Sequence, residues 1–359
     1  MTKYFINDKT ILNQLMQMRK NVKNLSSTDR EKFVNAILKL KKAPSLLHPD
    51  DSTYGRYDDY VEIHMHAMMV MSPSNPADDP DWYPGWAHNG PAFLPWHRIY
   101  LLQFEKDLQS ISKDNSVTVP YWDWTDNDSS PFSENFMGTN GEEMSDNSPG
   151  KVIDGPFAYE GPNHWTLVVK DSAEDPNHLT RGFGRRPDAR RLPTSVQVDR
   201  VMQVPLYDSP VWKLGSPGFR TGVEVPLHNL VHRWVNGTML AMTSPNDPVF
   251  WLHHSNIDKL WGDWQRLHPT ICPFLPSKYA PEGHNLYDML IFSDSAHDHT
   301  GIKSTRVVNT LNHYLLDYRY DSDPKEETIE ILEKKIKIRE KAERAKHKLS
   351  VFPTMDEII

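Results

Sequence analysis

Six histidines in four short segments constrain this chain more than any other feature. His64 follows Tyr60-Val61-Glu62-Ile63. His88 precedes His97, which stands in Phe93-Leu94-Pro95-Trp96-His97-Arg98. His228 and His232 share Leu227-His228-Asn229-Leu230-Val231-His232-Arg233-Trp234, and His254 lies in Asp247-Pro248-Val249-Phe250-Trp251-Leu252-His253-His254. Two sets of three imidazoles with no thiolate nearby suit a pair of copper ions, since imidazole binds copper well and copper tops the divalent affinity order. His228 and His232, four apart, share one face of a helix and can hold one ion. A zinc-protease reading needs Glu after the first histidine, where this chain has Asn229. A zinc or mononuclear site leaves three histidines unexplained. On a helix His253 points about 100° from His254, so only one of them can bind the same ion. His253 reads as a hydrogen-bonded core residue or one that supports the ligands from behind, and His66 is a near competitor for His64.

Composition narrows the setting. The chain has 359 residues, 38% hydrophobic and 25% charged, as in a globular protein. Its formal net charge of −8 argues against a nucleic-acid partner. The single cysteine, Cys272, allows no internal disulfide. No run approaches the length of a membrane span, and the N-terminus carries no apolar leader pattern. A cytoplasmic location is the default expectation, with export alongside a partner left open.

Residues 9–42 read as helical, with a second helix starting near Ser27 and a stripe of Phe33, Ile37, Leu38 and Leu40. Residues 43–62 read as loop and 72–91 as an irregular Pro/Gly/Trp-rich loop. A helix is expected from about Pro95, a short strand over Val117–Trp122, and weak structure through 124–200. Helical pattern returns at 226–236 and from 248, where Asp247 can cap the helix with Pro248 at its first position. From Asp323 the chain becomes charge-dense, with Glu330–Lys334 and Glu333–Lys337 pairs at helical spacing. The expected division is 1–322 and 323–359.

With these motifs in place, the chain resembles the type-3 copper proteins, and is most similar to short bacterial tyrosinases. The match runs from Arg19-Lys20-Asn21-Val22 to Tyr318-Arg319-Tyr320 and includes both histidine regions. In that family the second histidine of the His-His pair is the ligand, which favours His254. The resemblance implies a mainly α fold, an antiparallel four-helix bundle with long loops and a few short strands. It implies two copper ions held by His64, His88 and His97 and by His228, His232 and His254, with O2 as co-substrate bound between them as peroxide. The implied activity is o-hydroxylation of monophenols and oxidation of o-diphenols to o-quinones, with tyrosine and DOPA as typical substrates. A catechol oxidase, an o-aminophenol oxidase and an O2 carrier are the alternatives.

The resemblance also points to Glu224 and Asn229 as holders of an activating water, although Glu224 stands only four residues before His228. It places Arg233, Met242 and Phe250 around the substrate, with Phe250 packing between the two copper shells and Met242 where a gate residue lies. Trp86 occupies the place where other relatives link a cysteine to the middle histidine. Asp258 is expected to support the site or pair helices. The terminal extension, through Val351-Phe352-Pro353, is expected either to cover the copper site or to form a solvated or oligomerising helix. A homo-oligomer and a copper-delivering helper protein are left open.

Overall fold

The computed structural model describes residues 16–69, 85–293, 300–325 and 330. They divide into two compact units, one of Lys20–Asn312 and one formed by the chain before and after it. In the smaller unit, β1 (Gln17–Arg19) pairs in parallel with a strand at Tyr318–Tyr320, and the Arg19 guanidinium lies 3.8 Å from the Tyr318 ring centroid. Residues 16–26 therefore form no α-helix, holding only a short 3-10 turn at Val22–Asn24, contrary to the reading of 9–42. Most of the extension expected over 323–359, including Val351-Phe352-Pro353, lies outside the described residues.

In the larger unit α1 (Ser27–Lys42) starts one residue after its cap. The Asp29 N–H donates to Ser26 Oγ, and the Ser26 N–H donates back to the Asp29 carboxylate. This reciprocal cap satisfies two amides that a helix start leaves bare. The buried face is Phe33, Val34, Ala36, Ile37 and Leu40, with Leu38 at its edge.

The next helix corrects the sequence reading. Residues 56–62 belong to α2 (Arg56–Met69), not to a loop. The Tyr-Val-Glu-Ile run has strand-like composition, yet Tyr57, Tyr60, Val61, His64 and Ala67 recur at helical spacing and all are buried. Asp58 fixes the start by accepting from Gly55 N–H at 2.9 Å. After an irregular stretch at 85–92, α3 (Phe93–Ser112) is buried almost all round in its first half and ends at Lys113 in a left-handed conformation.

The strand expected at Val117–Trp122 is absent; the segment makes one isolated bridge, Tyr121 to Asn21. Two of its amides find helix groups instead: Val119 N–H donates to Glu105 and Trp122 N–H to the Leu252 carbonyl. Extended backbone satisfied this way needs no neighbouring strand. The long stretch that follows is mostly irregular, with β2 (Gly150–Lys151) antiparallel to β3 (Thr180–Arg181) and a short α4 (Ser195–Met202).

The chain then forms α5 (Phe219–Val223), a π turn (Glu224–His228) and α6 (Asn229–Val235). Pro226 has no N–H to give the helical ladder, and the backbone widens so that Asn229 N–H reaches the Glu224 carbonyl. Finally α7 (Val249–Leu267) begins one residue later than expected, with Pro248 as its cap, and Asp247 Oδ1 accepts from Val249 N–H at 3.1 Å. Asp247 is itself held by Arg181 through bonds of 2.7 and 2.8 Å, with both side chains fully buried.

α2, α3, α6 and α7 form the helical bundle. Phe104 of α3 stacks on Trp251 of α7 with ring centroids 3.5 Å apart, and Tyr100 Oη of α3 donates to the Tyr60 carbonyl of α2. Arg98 and Asp258 join α3 to α7 as a buried ion pair, with Trp261 under the guanidinium. The strand at Tyr318–Tyr320 is β4. Among the described residues no helix is long and apolar enough to cross a membrane.

Candidate metal centre

The bundle gathers the histidines into two groups. His64 from α2, His88 from the irregular stretch and His97 from α3 form one; His228, His232, His253 and His254 form the other, and in each group the ligating atoms lie within 4.8 Å of one another. Cys272 belongs to neither group. His66, on the next face of α2, stacks on Trp86 instead.

Five of the six rings are oriented by oxygen atoms at Nδ1, while the buried His254 Nδ1 has no hydrogen-bond partner among the described residues. His64 Nδ1 donates to the Met242 carbonyl at 2.8 Å, His97 Nδ1 to the Phe93 carbonyl at 2.8 Å, and His232 Nδ1 to the Met239 carbonyl at 2.6 Å. His228 Nδ1 donates to Asn229 Oδ1 at 2.8 Å, and His88 Nδ1 lies 3.4 Å from Glu224 Oε1. A proton fixed on Nδ1 leaves Nε2 with a bare lone pair, the form in which a histidine binds a metal.

Those lone pairs are the test of whether a cation fits. His64 Nε2 and His88 Nε2 face each other at 3.3 Å, as do the Nε2 atoms of His228 and His254. Buried Nε2 atoms of His97 and His232 have no hydrogen-bond partner among the described residues. Two lone pairs converging in a dry site repel, and orphaned buried nitrogens are costly; a cation among them removes both penalties. The donor set is nitrogen alone, which suits copper.

The two groups meet directly. His97 stacks on His254 with centroids 4.3 Å apart. Phe250 is fully buried, 4.0 Å from the His254 centroid and 5.0 Å from that of His64. It is thus packed between the two groups, as expected. Met242 and Arg233 are partly exposed; Arg233 Nε lies 3.4 Å from Asp188. His253 is fully buried against His228 and Trp124, and neither ring nitrogen has a partner among the described residues.

Glu224 is not a surface carboxylate. It is buried, and it accepts from Asn89 N–H at 2.7 Å and from Arg220 at 2.9 Å. Burial alone raises its pKa, but the bond from His88, the Arg220 charge and the Asn89 amide outweigh it and hold the carboxyl below its usual range. Arg220 also binds buried Asp208 at 2.8 Å. Asn89 adopts φ 64°, a left-handed conformation that asparagine tolerates, and so turns its amide towards Glu224. Sequence reading singled out Glu224 but missed Arg220, whose guanidinium holds it, and missed Met239 and Met242, since a backbone carbonyl leaves no residue signature.

Burial first, then neighbouring imidazoles, holds His64, His97, His228 and His254 well below the usual histidine range. Burial lowers His232 to about 4, and burial with the Arg220 charge lowers His284 to about 3. In the unfolded chain such groups take up protons below about pH 6.5, which the folded protein refuses until far lower. The unfolded state then holds more protons, so stability is complete above about pH 6.5 and is lost as pH falls, at up to about 1.4 kcal/mol per unit for each histidine. Metal-free protein is therefore expected to melt at a clearly lower temperature at pH 5 than at pH 7.5. Melting followed by circular dichroism at both values checks this; equal midpoints would mean that the rings are solvated.

Fold and site together define a helical protein with a candidate dinuclear metal centre built from imidazoles. Residues 54–267 match the family described as "Tyrosinase: Common central domain of tyrosinase". The chain is 41% identical over 273 residues to a tyrosinase of Streptomyces antibioticus, covering 74% of this chain and 89% of that one. It is 39% identical over 282 residues to a tyrosinase of Streptomyces glaucescens, covering 77% and 92%. Its fold is similar to that of a polyphenol oxidase variant from Thermothelomyces thermophila, with a TM-score of 0.60, 22% identity and coverage of 85% and 88%.

The chain belongs to the tyrosinase family. It is an oxidoreductase with a dinuclear copper centre that oxidises phenols with O2.

Proposed function

We propose that His64, His88 and His97 hold one copper, that His228, His232 and His254 hold the other, and that the chain both hydroxylates monophenols and oxidises o-diphenols to o-quinones. L-tyrosine and L-DOPA represent the two substrate classes. The observation that carries this reading is the facing of His64 and His88 Nε2 at 3.3 Å with both Nδ1 atoms turned to oxygen. Bound copper supplies the activation of O2 and accepts the electrons of the ring. Arg233 and Met242, the partly exposed residues, border substrate access. The catalytic domain ends at 322 in this reading, just past β4, and 323–359 form an extension.

Hydroxylation requires the phenol to lose a proton whose ordinary pKa is about 10. An ionised carboxylate buried beside His88 supports Glu224 as the acceptor, acting through a water that it shares with Asn229. Glu224 and Asn229 also orient His88 and His228, so copper content has to be measured before turnover is interpreted. With two coppers bound, Glu224→Gln is expected to lower L-tyrosine turnover about 10²-fold and to affect L-DOPA less.

The deciding experiment supplies copper-loaded protein separately with L-tyrosine and L-DOPA and follows quinone formation alongside O2 uptake. Turnover of both supports the reading. Turnover of L-DOPA alone removes monophenol hydroxylation, and with it the role given to the Glu224–Asn229 water.

A further inference from the structure

One short turn orients a histidine from each group. The Met239 carbonyl holds His232 Nδ1–H at 2.6 Å, and the Met242 carbonyl holds His64 Nδ1–H at 2.8 Å. The turn is anchored on both sides. Before it, Thr180 N–H donates to Thr238 Oγ1 at 3.0 Å; after it, the Asn246 side chain donates to the Val169 carbonyl at 2.8 Å. Between these anchors, Asp171 accepts from Met242 N–H at 2.9 Å through one carboxylate oxygen and from Thr243 N–H at 3.1 Å through the other. Asp171 is exposed and far from these residues in sequence, and it touches none of the histidines in the hydrogen bonds described.

We propose that Asp171 is a positioning residue of the dicopper centre, fixing the peptide group whose carbonyl aims His64. The proposal rests on the assignment of His64 as a copper ligand. An ionised carboxylate that accepts two amides is a strong and directional clamp. It pins the nitrogen side of residue 242 while the carbonyl of the same residue faces the imidazole. Without the clamp residue 242 can rotate, its carbonyl leaves His64 Nδ1, and the ring loses both its tautomer and its aim. Groups that orient a ligating histidine commonly change metal affinity 10- to 100-fold, about, and one acting through an intervening residue belongs at the lower end.

The site is built so that the clamp can be removed without collapse. Asp171 lines a cavity of about 380 Å³ with Thr180, Thr238, Thr243 and Asn246, so water can reach the freed amides of an alanine variant. Asp171→Ala is expected to melt within a few degrees of the wild type. Asp171→Asn keeps the shape and one acceptor oxygen, but turns an amide group towards the second N–H, and is expected to fall between the two.

The test uses the full chain. A copper chelator is added to protein loaded with two coppers, and release is followed with time. Asp171→Ala is expected to release one copper about tenfold faster while the other leaves at its usual rate. Asp171→Asn should lie between, and Glu174→Ala, in the same loop, should match the wild type. In metal-free protein carrying 15N-labelled histidine, the slowly exchanging Nδ1–H signal of His64 should broaden in Asp171→Ala. Wild-type release rates together with an unchanged His64 signal would overturn the proposal. If the wild type binds fewer than two coppers, the ligand assignment fails instead, and the His64 signal alone then decides what Asp171 does.

Discussion

Replacing His97 by alanine is expected to lower L-DOPA oxidation at least about 10³-fold and to reduce bound copper from two per chain to one. His97 is fully buried, its Nδ1 is fixed on the Phe93 carbonyl, and its Nε2 has no hydrogen-bond partner among the described residues. Its ring also stacks on His254, a tighter meeting of the two groups than that of His88 with His228. The variant removes a ligand from one ion and leaves a void where that group meets the other. Copper analysis beside O2 uptake measures the two consequences separately. His66→Ala is the control, because His66 lies on another face of α2 and stacks on Trp86. Two coppers and undiminished turnover in the His97 variant would remove it from the ligand set.

The second large effect is expected beside the histidines, at Arg98, which follows His97, and Asp258, one turn beyond His254. Arg98 and Asp258 form an ion pair with essentially no exposure, joining the helix that carries His97 to the helix that carries His254. Arg98 also donates to the Thr310 carbonyl at 2.8 Å and lies over Trp261. Removing one partner strands a buried charge, so Asp258→Ala is expected to cost about 3–5 kcal/mol of stability. The double variant Arg98→Met with Asp258→Leu removes both charges and is expected to cost clearly less than the sum of the single changes. Urea unfolding of the single and double variants measures this. Strict additivity would mean that the two side chains do not act as a pair. Since the pair sets the spacing of α3 and α7, the single variant should also bind copper more weakly at temperatures where it is still folded.

Much of the bundle is legible from residue order. α7 announces itself through Asp247, Pro248 and the run that follows, and outside the bundle α1 does so through its start near Ser27 and its apolar stripe. These signals are local, since capping and periodicity act within a few residues. Three elements were misread for a common reason. Residues 56–62 have strand-like composition but are helical, because their aromatic rings fill a core made by Trp165, Phe104 and Trp251. Val117–Trp122 has strand composition but finds acceptors for Val119 and Trp122 on helices. Residues 17–19 form a strand only because the chain returns some 300 residues later to pair with them, a partner that no local window contains.

Sequence by itself determined which residue types stand together: two trios of histidine, the Asn229 that removes a zinc-protease base, and a carboxylate upstream of His228. Their chemistry belongs to side chains, and side chains are written in the sequence. Tertiary structure alone decided how they are aimed. It turned Glu224 inward onto Asn89, His88 and Arg220, sealed Phe250 between the groups, and set the carbonyls of Met239 and Met242 against His232 and His64. A backbone carbonyl is the same group in every residue, so its role as an acceptor depends on where the fold places it and leaves no mark in the amino-acid order.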